Sequence, residues 1–135
     1  MSSDIPENSY VTDTMAVVLH LEQRRSSQRV KTVFNEALRA EAKIYVPAIV
    51  FAEILYLTAK HRISASLADV QRLLRENPTI EETPLSLAVV SAASEITDIP
   101  ELHDRLIAGS ARLLRFPLLT NDPKIQASRF IQTIW

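Results

Sequence analysis

The chain has no cysteine and one glycine, Gly109, in 135 residues. The first absence removes disulfide frameworks, thiolate metal sites and cysteine nucleophiles, and it suits a reducing cytoplasm. The second argues against a turn-dense β-sandwich and leaves no glycine loop to cradle a phosphate. No nucleophile elbow is present either. The longest weakly charged stretch, "IYVPAIVFAEILYLTA", is only 16 residues long and is interrupted by Pro47 and Glu53, too short for a membrane span. The opening "MSSDIPENSY" is polar and lacks the basic start and apolar run of a secretory leader. A net charge of −1 excludes a broadly basic nucleic-acid coat. The expectation is a soluble, cytoplasmic protein.

Apolar residues make up 47% of the chain and charged ones 23%, the composition of an ordinary globular protein. The length fits one domain spanning 1–135, able to bury roughly 65–70% of its unfolded surface. "SYVTD" reads as a strand ending at Asp13, followed by the helices "TMAVVLHLEQRR" and "QRVKTVFNEALRAEAK". "IYVP" reads as a strand closed by Pro47, leading into "AIVFAEILYLTAKHR". "SLADVQRLLREN" and "LSLAVVSAASEI" read as helices around a strand, "TIEET". "PELHDRLIAGSARLLR" is the clearest amphipathic helix, and "PLLT" and "RFIQTIW" read as the last strands. Strands alternating with helices predict an α/β fold with a central, mostly parallel sheet flanked by helices, a Rossmann-like three-layer arrangement.

Four acids stand out against that scaffold. Asp13 and Asp122 each follow an expected strand, at the end where parallel sheets bind ligands. Glu53 is the only charge from residue 44 to 59, where burial without compensation is costly. Asp104 lies in the first turns of its helix, where the helix dipole favours an anion. Each has an ordinary structural reading: Asp13 or Asp122 as a helix N-cap, Asp104 as a dipole-stabilised surface acid, Glu53 as a carboxylate that snorkels to solvent or pairs with an arginine. Gathered in one cleft, they would repel by about 4 kcal/mol per pair at 4 Å and an effective dielectric near 20. A cation relieves that repulsion, and an all-oxygen set suits Mg²⁺ or Mn²⁺. Such ions activate water and stabilise a phosphoryl oxygen, which points to phosphodiester hydrolysis.

"YVTDT", "VPAIVFAEILYL", "HDRLIAGSAR" and "PLLTND" occur in this order, and the ordered set resembles the PIN-domain nucleases from about Tyr10 to Trp135. Within that family it looks most like the VapC-type toxins of toxin–antitoxin pairs. The resemblance implies a PIN-like fold and a divalent metal, Mg²⁺ or Mn²⁺, held by catalytic acids at Asp13, Glu53, Asp104 and Asp122. It also implies an RNA substrate attacked by an activated water. Thr14 and Thr120 would orient the carboxylates or the water. A cognate antitoxin and a homodimer are the expected protein partners. Met15 departs from the family, standing where relatives often carry a small polar residue.

Arg24, Arg25 and Arg29, with Lys31, gather at a helix start and are candidates for gripping RNA phosphates; a solvated loop is the alternative. Arg112 is a further substrate-binding candidate, with Arg105 beside it. Glu101 is the reserve acid, one helical turn before Asp104. His20, His61 and His103 have no zinc spacing. The apolar faces of "FAEILYL" and "LADVQRLL" belong either to the core or to a groove for a partner helix. The expected function is a metal-dependent endoribonuclease of the toxin type. The alternatives are a non-catalytic PIN-like module that binds RNA or protein, and a phosphatase or deoxyribonuclease using the same acids.

Overall fold

The computed structural model describes residues 8–135. Most of the polar opening segment, read above as lacking a leader, lies outside the described residues. Five strands form one sheet: β1 (Ser9–Thr12), β2 (Lys43–Pro47), β3 (Ile80–Thr83), β4 (Leu118–Leu119) and β5 (Thr133–Ile134). Their order is β3-β2-β1-β4-β5 and every pairing is parallel, so the expected α/β architecture is present. Around the sheet stand α1 (Thr14–Leu21), α2 (Gln28–Leu38), α3 (Ala48–Ala59), α4 (Leu67–Glu76), α5 (Leu87–Ser94), α6 (Leu102–Leu114) and the short α7 (Pro123–Gln126). Among the described residues no helix is long and apolar enough to cross a membrane.

Local chemistry explains most helix starts. Ser27, Ser66 and Ser86 each accept a hydrogen bond from a backbone N–H one turn on, and Ser66 with Asp69 completes a capping box. Val70 and Leu73 of α4 are buried, so most of the "LADVQRLL" face serves the core. In α3, Leu55 and Tyr56 instead remain 58% and 55% exposed.

Helix ends differ from the periodicity reading. The segments expected to run on to Arg25, Lys43 and Arg62 stop at Leu21, Leu38 and Ala59. Gln23, Ala40 and His61 follow in the left-handed region, with φ of 53°, 61° and 56°. At each, the next residue's N–H reaches back to a carbonyl of the last turn: Arg24 to Leu19, Glu41 to Glu36 and Arg62 to Leu57. These are Schellman caps built without glycine. The only glycine does different work. Gly109 sits inside α6 against α5, where an added Cβ would come within 2.8 Å of the Ala93 Cβ and 2.9 Å of the Val89 carbonyl oxygen.

The core is one cluster that includes Val11, Val17, Phe34, Ile44, Ile54, Ile107, Leu118 and Leu119. Central strand β1 pairs with β2 on one side and β4 on the other, Thr12 lying opposite Leu119. Chain order therefore reverses at β1, and the crevice beyond the carboxyl ends of β1 and β4 is a topological switch point.

A carboxylate cavity as the candidate active site

Asp13 follows β1 directly and is 7% exposed. Its Oδ1 accepts from the Ala16 N–H at 2.8 Å, so it caps α1. Burial pushes its pKa up to about 6, the charges of Glu53 and Asp122 add to the rise, and hydrogen bonds from the Thr120 hydroxyl and the Ala16 N–H oppose it. Thr120 is fully buried and also accepts from the Asp122 N–H at 3.1 Å. One hydroxyl thus connects the acids that follow β1 and β4.

Glu53 projects from the second turn of α3, and its Oε1 accepts from the Thr14 hydroxyl at 2.6 Å. Asp104 lies in the first turn of α6, and its pKa is also pushed up to about 6. Partial burial is the largest cause, followed by the charges of Glu101, Asp122 and Glu53, with His103 acting in the opposite direction. Asp122 caps α7, its Oδ1 accepting from the Lys124 N–H at 2.9 Å. The ordinary structural readings of Asp13 and Asp122 are therefore correct as far as they go: both are N-caps.

All four acids nevertheless line one cavity of about 470 Å³, together with Thr14, Met15 and Asn121. The charges of Glu53 and Asp122 help raise the pKa values of both Asp13 and Asp104, a cost that a hard cation would remove. The all-oxygen donor set fits Mg²⁺ or Mn²⁺ by chemistry. The side chains line the cavity without closing into a cage: among the described residues, no three acid or imidazole groups form a ready-made metal site.

The other candidates lie elsewhere. Arg24 pairs with Glu22 at 3.1 Å, Arg25 is exposed beyond α1, and Arg29 lines a small separate cavity with Tyr10 and Glu36. Arg112 is tied to Glu95 at 3.3 Å and to the Phe130 carbonyl at 3.1 Å, in a cavity of about 600 Å³ that holds none of the four acids. None of these arginines lines the carboxylate cavity. Glu101 turns its carboxylate back to cap α6, accepting from the Asp104 N–H at 2.7 Å. His103 stands near the site, its Nδ1 4.0 Å from Glu53 and 3.8 Å from Glu101. His20 stacks on Phe34 at 4.5 Å, and burial lowers its pKa.

Asn121, which has no expected role above, also lines the cavity, and its place between Thr120 and Asp122 is the signal that marks it. Glu22 likewise has no expected role, and its carboxylate gathers the Ser64 and Ala65 N–H groups at 2.7 and 2.8 Å.

Similarity to known proteins adds an independent line. The family model of the PIN domain matches residues 10–130. The fold is similar to that of VapBC2 from Rickettsia felis, solved bound to a promoter DNA fragment, with a TM-score of 0.72 and 18% identity over 94% of this chain and 98% of that one. DNA-bound VapBC from Salmonella typhimurium is similar with a TM-score of 0.67 and 14% identity, over 94% and 97% of the two chains. FitAcB from Neisseria gonorrhoeae gives 0.64 and 17%, over 93% and 96%. No curated protein matches the chain in sequence.

Proposed function

Because the chain belongs to the PIN domain family, we propose that it is a metal-dependent endoribonuclease and the toxin of a toxin–antitoxin pair. The observation that carries this reading is the single cavity lined by Asp13, Glu53, Asp104 and Asp122. These four acids would hold Mg²⁺ or Mn²⁺, which when bound acidifies a water and offsets charge on a phosphoryl oxygen. Thr14 fixes the Glu53 carboxylate, and Thr120 fixes Asp13 while accepting from the Asp122 backbone.

Protein partners follow from the same reading. A solved structure of similar fold is a toxin–antitoxin complex from Klebsiella pneumoniae, which supports a cognate antitoxin here. Leu55 and Tyr56 on α3 supply exposed apolar surface for an antitoxin segment or a second copy of the chain. Arg24, Arg25, Arg29 and Arg112 lie outside the cavity, so any part they play in binding RNA is at a distance from the cut.

The test is cleavage of RNA by purified, antitoxin-free protein with Mg²⁺, with Mn²⁺ and with EDTA, alongside Asp104→Asn and a matched DNA. Metal-dependent cutting of RNA that Asp104→Asn abolishes is the expected result. RNA binding without turnover in any metal would replace this reading with that of a non-catalytic module. Preference for DNA would make it a deoxyribonuclease.

A further inference from the structure

The carboxylate cavity has a second, uncharged wall. Ile107 and Ile125, each 2% exposed, form its buried part, whereas Met15 is half-buried and Asn121 and Pro123 are exposed. The Asn121 carboxamide makes no hydrogen bond among the described residues. Its neighbours differ: the Thr120 hydroxyl is committed to Asp13 and Asp122, and the Asp122 carboxylate to the Lys124 N–H. A thioether, a proline ring and an uncommitted amide therefore share the space in front of the acids.

We propose that Met15, Pro123 and Asn121 form a seat for an unpaired adenine next to the scissile phosphate. The proposal rests on the nuclease reading and adds its substrate preference. A base is joined to its phosphate through a single ribose, so a phosphate drawn to a cation at the carboxylates has its base within reach of these residues. Recognition of a splayed base needs contact with its flat face and hydrogen bonds to its edge. Met15 supplies a polarisable sulfur for the ring face, and Pro123 extends that apolar surface.

An ionised carboxylate can only accept, whereas the Asn121 amide carries a donor and an acceptor side by side. Adenine offers a matching donor–acceptor pair at N6 and N7, the partner that asparagine binds in bidentate fashion. It also presents a two-ring face larger than that of a pyrimidine.

The experiment measures kcat/KM on unstructured RNA oligonucleotides that differ only in the base beside one cleavage site. Wild type, Asn121→Ala, Asn121→Ser and Met15→Ser are compared, each with its melting temperature. Wild type is expected to favour adenine by about tenfold. Both Asn121 substitutions reduce that preference to about twofold or less. Met15→Ser raises KM for all four bases while keeping adenine first. An unbiased wild type overturns the seat and leaves the nuclease standing. So does an adenine preference that survives in both Asn121 variants, or a loss that is uniform across the bases. Failure of wild type to cut any RNA with Mg²⁺ or Mn²⁺ overturns the nuclease reading, and the seat with it.

Discussion

The Thr14 hydroxyl donates to the Glu53 carboxylate at 2.6 Å, joining the first residue of α1 to the second turn of α3. The bond fixes one carboxylate oxygen, Oε1, while the other, Oε2, lies 4.0 Å from His103 Nδ1. Partners of this kind typically alter metal affinity or activity 10–100-fold when removed. Thr14→Val keeps the shape and deletes the donor. It should weaken Mn²⁺ binding by about tenfold in calorimetry while lowering stability by only about 1 kcal/mol. Unchanged affinity would assign Thr14 to packing alone.

Asp13 and Asp104 set a pH dependence in the metal-free protein. Both folded pKa values are raised from 3.8 to about 6, so the folded state holds protons that the unfolded chain has released. Their contribution is fully present below about 3.8 and is lost as pH rises through 6. Asp13 is buried, and a shift of this size corresponds to about 3 kcal/mol. Asp104 is partly solvated and contributes less. The melting temperature without metal should fall from pH 4.5 to pH 7, and Asp13→Asn should flatten most of that slope. Excess Mg²⁺ at pH 7 should restore the lost stability.

Glu22 has the opposite sign. Its carboxylate receives the Ala65 N–H, the Arg24 guanidinium and the Ser64 N–H and hydroxyl, and these contacts hold its pKa at about 2 against the usual 4.5. The stabilisation is present above pH 4.5 and disappears as pH falls towards 2. Glu22→Ala should cost about 2 kcal/mol in urea denaturation and expose the Ser64 and Ala65 amides to faster hydrogen exchange. A loss that persisted undiminished at pH 2 would point to packing instead of charge.

Two substitutions involving glycine should act in opposite directions. Ala40 holds φ of 61° at an exposed helix end, where an L-residue costs roughly 1 kcal/mol. Ala40→Gly should raise stability by up to about 1 kcal/mol. Gly109→Ala should lower it by about 1–3 kcal/mol, because the new methyl meets the Ala93 side chain and the Val89 backbone. Thermal melts of the two variants would read both signs.

Those same positions explain which parts of the fold were legible in the sequence. Helix starts carry a local signal, such as the serines at 27, 66 and 86, and strand ends were marked by Asp13 and Asp122. Helix ends were overextended because a chain with one glycine gives no sign of the turns at Gln23, Ala40 and His61. α7 has four residues, too few for periodicity. The last strand shrinks to Thr133–Ile134 because Asp98 receives the Ser128 hydroxyl and the Arg129 N–H, bending the segment before it. The positions of the acids followed from strand order, but the fate of Arg112 depended on Glu95 and Phe130, which no local pattern announces.

The placement of β1 at the middle of the sheet has a consequence for the chain's birth. Asp13 is made early, but the Asp13 N–H reaches its carbonyl partner at Leu119, and the Thr120 hydroxyl that supports its carboxylate comes just after. The cavity is lined by Asp13, Thr14 and Met15 as well as by Asn121, Asp122 and Pro123, so a nascent chain lacking β4 has no site to assemble. Closure of the site is deferred until the chain has been made through Asp122, and in the interval after Asp13 is made the acids stay apart.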